Sequence, residues 1–142
     1  MYYGFSEEFR NKIIKYLLIY TENLESQRKT PKRDIAHKYP DTVAFYKENI
    51  CPLIREKEST NSVEDVLPNE EKLLMTYSYT KMMSFFCHLR NSICHGHLRI
   101  KGDYLQINDI HKGKYTSIGQ LKVARVIELL SILIREYETN NV

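Results

Sequence analysis

The stretch LKVARVIELLSILIREY, residues 121 to 137, constrains this chain most. Leu121, Ala124, Ile127, Leu130 and Ile134 recur at helical spacing, and Leu129 and Leu133 widen the apolar surface around most of the circumference. A helix of that kind is expected at the centre of a fold, because most of its surface is apolar. Ahead of it, Ser117 and Gln120 form the capping pattern S-x-x-Q, which predicts a last helix from 117 to about 138.

Other segments carry the same period. Residues 6 to 27 place Phe9, Ile13, Tyr16, Leu17, Tyr20 and Leu24 on one face, with Ser6 as N-cap and Glu7 and Glu8 in the first turn. Val43, Ala44, Tyr46, Cys51, Leu53 and Ile54 indicate a second helix that Pro52 must kink or split. STNSVEDVLPN, residues 59 to 69, reads as a loop leading to a third helix, 69 to 95, capped by Asn69. On that helix Met75, Tyr79, Met82, Phe86, Leu89 and Ile93 form a core stripe. Ser84, His88, Asn91 and His95 line a second face, and Gly96 supplies the stop. LRIK (98 to 101), the pair Gly102-Asp103 and YLQIND (104 to 109) alternate as a short β-hairpin. The expected fold is all-α: an antiparallel four- to five-helix bundle with a short β-hairpin insertion before the last helix, one domain across residues 1 to 142.

Composition excludes several classes. Apolar residues make up 42% and charged residues 27% of the 142, which fits neither a disordered chain nor a membrane protein. The N-terminus lacks the pattern of a secretory signal, and three cysteines do not suggest a disulfide framework, so the expected location is cytoplasmic. A net charge of +3 does not announce a nucleic-acid binder by itself. Charge is unevenly spread, however: residues 28 to 40 carry five Lys/Arg and one Asp, and residues 56 to 71 carry six acids and one Lys. Runs of this kind most often form solvated faces.

LRNSICHGH, at the end of the third helix, gathers the chemistry. The guanidinium of Arg90 is permanently charged and forked, whereas the imidazole of His95 exchanges protons near neutrality; together they suit an anionic phosphate. Asn91 and His95 are one turn apart on the same face, with Arg90 displaced by about 100°. His88 and His97 flank them. Arg99, Lys101, His111, Lys112 and Lys114 follow closely and could extend a phosphate-binding rim. Cys87, His88, Cys94, His95 and His97 are crowded, yet they do not share a helical face as an i, i+4 pair. No second Cys/His cluster completes a tetrahedron, so neither a metal nor a cofactor is expected.

The motif resembles the R-x4-H signature of the HEPN superfamily, the domains named for higher eukaryotes and prokaryotes nucleotide-binding. Its Arg, polar residue and His fall on Arg90, Asn91 and His95, within residues 89 to 96. The β excursion and apolar closing helix are similar to those of stand-alone prokaryotic members in toxin–antitoxin and phage-defence systems. The resemblance implies an all-α, metal-independent endoribonuclease acting as a homodimer, with two motifs sharing one cleft. Catalysis would fall to Arg90, Asn91 and His95, and RNA contacts to His88, His97, Arg99, Lys101, Lys112 and Lys114. A cognate antitoxin protein is a possible partner, and no membrane is. Where members silenced by nucleotide transfer carry an acceptor Tyr, this chain has His97, which argues against that form of control. The rival reading is a catalytically inactive HEPN-like adaptor or antitoxin module that binds protein or RNA.

Overall fold

The computed structural model describes residues 4–29, 34–57, 66, 69–78 and 80–141. Helix α1 (Glu7–Ile19) starts where the Ser6 hydroxyl accepts the Phe9 N–H, 3.1 Å, and it buries Phe9, Ile13, Tyr16 and Ile19. A π-helical turn (Tyr20–Leu24) and α2 (Glu25–Lys29) extend it without a break, so the first expected helix is present. α3 (Asp34–Lys38) and α4 (Pro40–Phe45) follow. A π turn (Tyr46–Ile50) and a 3-10 turn (Cys51–Leu53) then end this helical run at Pro52, which has no N–H to continue it. The chain passes directly into β1 (Ile54–Glu56). The loop expected at 59 to 69 lies almost wholly outside the described residues, as does most of the acidic run.

The expectation of an all-α helical bundle is corrected by a six-stranded mixed sheet. β2 (Lys72–Met75), β3 (Leu98–Lys101), β4 (Tyr104–Ile107), β5 (Asp109–His111) and β6 (Lys114–Lys122) join β1 in the order β1-β2-β6-β4-β3, with β5 also on β6. Only β1 and β2 run parallel. β6 is the axis: β2 lies on one side, and β4 and β5 share the other end to end. Leu73 pairs with Gly119, and a Cβ on Gly119 would stand 2.1 Å from the Lys72 carbonyl oxygen; its φ of +136° also favours glycine. The expected hairpin is there as β3 and β4, turning at Gly102 and Asp103.

Two helix boundaries move with this correction. Met75 belongs to β2, and α5 (Lys81–Cys94) begins only after Thr80, whose hydroxyl caps the Met83 N–H at 3.2 Å; Asn69 is not its cap. Ser117 and Gln120 are buried in β6, where Ser117 donates to the Ile107 carbonyl and Gln120 to that of Glu70, so they tie strands together and cap nothing. α6 (Val123–Asn140) starts after them and buries Val126, Leu129, Leu130 and Leu133 against α1 and α4, while Ala124, Glu128, Arg135 and Glu138 stay exposed on the opposite face, so the helix is amphipathic and not enclosed all round. Its buried Glu136 accepts the Asp41 and Thr42 N–H groups, 3.0 and 2.7 Å, capping α4 from across the chain. α5 lies between this helical layer and strands β2, β4 and β5. Among the described residues no helix is long and apolar enough to cross a membrane.

Glu71 and Arg125 clamp the sheet to the start of α6 through paired hydrogen bonds, and the Lys122 N–H joins them. Burial works to raise the Glu71 carboxyl, but the Arg125 and Lys122 bonds outweigh it and hold the group below its ordinary value. A lowered carboxyl contributes stability that is fully present above its unfolded-state pKa and is lost as pH falls through the native value. Glu71→Gln therefore costs about 0.5–1 kcal/mol at pH 7 and flattens the stability profile over the window from neutrality down through that native value. Denaturant titrations at both ends of that window check it, and an unaltered pH slope contradicts it.

Candidate functional site

The site forms where α5 ends against the sheet. Ser92, Ile93, Gly96 and His97 close the helix in a Schellman turn: the His97 N–H bonds the Ser92 carbonyl at 2.8 Å and the Gly96 N–H that of Ile93 at 3.1 Å. Gly96 takes the left-handed conformation this turn requires, φ +70°. The reversal sets the His95 and His97 rings side by side, centroids 5.9 Å apart. From the sheet, Leu105 and Ile107 point into the core, and Asp109 continues their alternation two residues on. The ladder is irregular between Asp109 and Ile110, and the Asn108 side chain accepts the Gly119 N–H at 3.1 Å.

Asp109 is the residue the sequence reading missed, and it organises the site. Its side chain is only 3% exposed. His95 donates from Nδ1 to Oδ1 at 3.0 Å, and the Thr116 hydroxyl donates to Oδ2 at 3.1 Å. His97 Nδ1 stands 3.9 Å from Oδ1 and His88 Nδ1 4.0 Å from Oδ2. Burial works to raise the Asp109 carboxyl, but the imidazoles of His88 and His95 and the Thr116 hydroxyl outweigh it and hold the group below the usual carboxylate range. A signal for Asp109 was present: an acid at the third position of the alternation Leu105, Ile107, Asp109 must share the buried face.

Arg90 and Asn91 form a second unit on α5. The Arg90 guanidinium donates to Asn91 Oδ1 at 2.9 Å and lies 6.0 Å from the Tyr20 ring, while Asn91 Nδ2 approaches Cys87 Sγ at 3.6 Å. Asn91 thus holds the arginine, one turn before His95 on the same face. Of the proposed RNA contacts, His88 donates from Nε2 to the Thr76 carbonyl at 2.8 Å and is buried, which keeps it away from substrate. Arg99 folds back on the Gly96 and Leu98 carbonyls beside the histidine turn. Lys112 and Lys114 are exposed in the β5–β6 turn, on the same hairpin as Asp109. Lys101 stands at the other end of β3, roughly 10 Å of strand from Leu98.

His95, His97 and Asp109 each offer one ligand atom, all within 4.8 Å of one another, a set able to hold a cation once Asp109 is included. Compared with family models, curated proteins and solved structures, the chain matches none.

These bonds fix which nitrogen of each neutral ring carries its proton, because carboxylates and carbonyls only accept. Long-range proton–nitrogen NMR should show His95 as the Nδ1–H tautomer and His88 as Nε2–H, and Asp109→Asn should release the preference of His95 alone. An Nδ1–H tautomer for His88 contradicts the arrangement.

Proposed function

We propose that the chain is a metal-independent endoribonuclease of the toxin or phage-defence type, cutting RNA through attack of its own 2′-hydroxyl. The observation that carries this reading is the His95–Asp109 pair. A buried carboxylate takes the Nδ1–H, so Nε2 is left as a proton acceptor on a ring that is 43% exposed. RNA supplies the nucleophile, so the protein needs to accept the 2′ proton, give one to the departing 5′-oxygen, and balance charge on the phosphorane. His95 Nε2 moves the protons. Arg90, steadied by Asn91, faces the non-bridging oxygens, and Lys112, Lys114 and Arg99 extend positive charge toward the flanking phosphates.

The likeness of residues 89 to 96 to the HEPN motif supports the same reading, on a scaffold with far more sheet than that resemblance implied. A homodimer would bring a second His95 to the scissile bond, one ring acting as base and the other as acid, and a cognate antitoxin would cover the cleft. Two Arg90 side chains meeting there favour an anion between them, which suits RNA.

Purified protein incubated with total RNA in excess chelator should generate 2′,3′-cyclic phosphate and 5′-hydroxyl ends. His95→Ala, Arg90→Ala and Asp109→Asn should each slow cleavage by about 10²- to 10⁴-fold. Equal inactivity of all four proteins contradicts the nuclease and favours the adaptor reading, and cleavage that the chelator abolishes contradicts the metal-independent route.

A further inference from the structure

Three imidazoles present the same nitrogen, Nδ1, to one buried carboxylate, and a single hydrogen bond accounts for only one of them. His95 Nδ1 is 3.0 Å from Asp109 Oδ1, whereas His97 Nδ1 at 3.9 Å and His88 Nδ1 at 4.0 Å are beyond hydrogen-bond reach. Both of those atoms are buried, and among the described residues neither has a hydrogen-bond partner. His88 is the more telling, because its side chain is only 7% exposed. Its Nε2 donates to the Thr76 carbonyl, so the Nδ1 that faces the Asp109 carboxylate without a hydrogen bond carries either the second proton of an imidazolium or a lone pair open to a metal ion. Lone pair facing anion in a dry site is unfavourable unless positive charge lies between them.

We infer that Asp109, His95 and His97, backed by His88, form a binding site for a borderline divalent cation of the Zn²⁺ class. Around tetrahedral zinc, with bonds of about 2.0–2.2 Å, neighbouring ligand atoms stand roughly 3.3–3.5 Å apart. The His95 and His97 Nδ1 atoms stand 3.0 and 3.9 Å from Asp109 Oδ1, on either side of that spacing, and the three ligand atoms lie within 4.8 Å of one another, so shifts of up to about 1 Å close the site. Imidazole with one carboxylate suits zinc and its first-row neighbours, whereas Mg²⁺ and Ca²⁺ prefer oxygen ligands alone. Outer support is already in place: the Thr76 carbonyl orients His88, and the Thr116 hydroxyl holds the second carboxylate oxygen. The motif alone could not complete this set, since Asp109 comes from the sheet.

The cation site stands on this geometry, independently of RNA cleavage. One consequence rests on the proposed function. Metal on His95 Nδ1 moves the ring's single proton to Nε2, where the neutral imidazole can no longer accept the 2′-hydroxyl proton. Zinc and acid–base catalysis then exclude each other, and the ion silences the site it occupies.

Binding is measured directly with the full chain, by titrating ZnCl₂ against a chromophoric competitor and in parallel by calorimetry, with MgCl₂ as comparison. The expected result is one Zn²⁺ per chain, a raised melting temperature at saturation, and no response to Mg²⁺. His97→Ala and Asp109→Asn should weaken binding at least about 10-fold, whereas His37→Ala, at an exposed histidine on α3, should bind as the parent does. Circular dichroism establishes that each variant is folded. Should Asp109→Asn not fold, His97→Ala, at a ring 32% exposed, carries the test. Absence of zinc binding, equal affinity in His97→Ala, or equal binding of Mg²⁺ overturns the inference. Each of these readouts is separate from the ribonuclease assay, so failure here leaves the nuclease reading standing and success does not establish it.

Discussion

A carboxylate removed from water has to be met by donors or positive charge, at a cost of several kcal/mol if it is not. Asp109 is that carboxylate: His95, just past the end of α5, and Thr116, near the start of β6, hydrogen-bond to it, and the Nδ1 atoms of His88 and His97 stand 4.0 and 3.9 Å away. The residue just past β2 joins at one remove, because Thr76 orients His88. The irregular ladder at the start of β5 and the Schellman turn at Gly96 are the two backbone devices that aim these side chains at one another. One buried charge therefore couples helix to sheet at the place where the chemistry is argued to occur.

Local signals were legible in the sequence, and pairing at a distance was not. Ser6 caps α1, Pro52 ends the second helical run, Gly102-Asp103 turns the hairpin and Gly96 stops α5, each through an effect confined to a few neighbouring residues. Ser117 and Gln120 misled because their spacing imitates a capping box, yet both are polar side chains serving distant carbonyls inside a sheet. Met75 misled by falling on the helical period of Met82, Phe86 and Leu89 although it sits in β2. β1 and β2 are three and four residues long, too short to outvote a helical pattern, and their partners lie far along the chain.

The site followed the same rule. Arg90, Asn91 and His95 fall within six residues at the end of α5 and could be singled out together from sequence; Asp109 belongs to a strand and could be joined to His95 only by folding. Its absence from the sequence reading altered two conclusions. Asn91, expected among the catalytic residues, holds Arg90, and it is Asp109 that orients the His95 ring. The histidines, set aside as metal ligands for want of a closing partner, gain one in the same carboxylate. If both proposals hold, a site in which one anion holds either a proton-carrying imidazole or a metal ion would link RNA cleavage to cation supply without any moving part.

The central claim is that Asp109 acts on RNA only through the ring of His95. A double-mutant cycle on the cleavage rate, comparing His95→Ala, Asp109→Asn and both substitutions together with the parent chain, tests it most directly. The account predicts that the double variant is no slower than His95→Ala alone, since a carboxylate with no ring to orient has nothing left to contribute. Losses that multiply, or a parent chain that leaves RNA intact, contradict it.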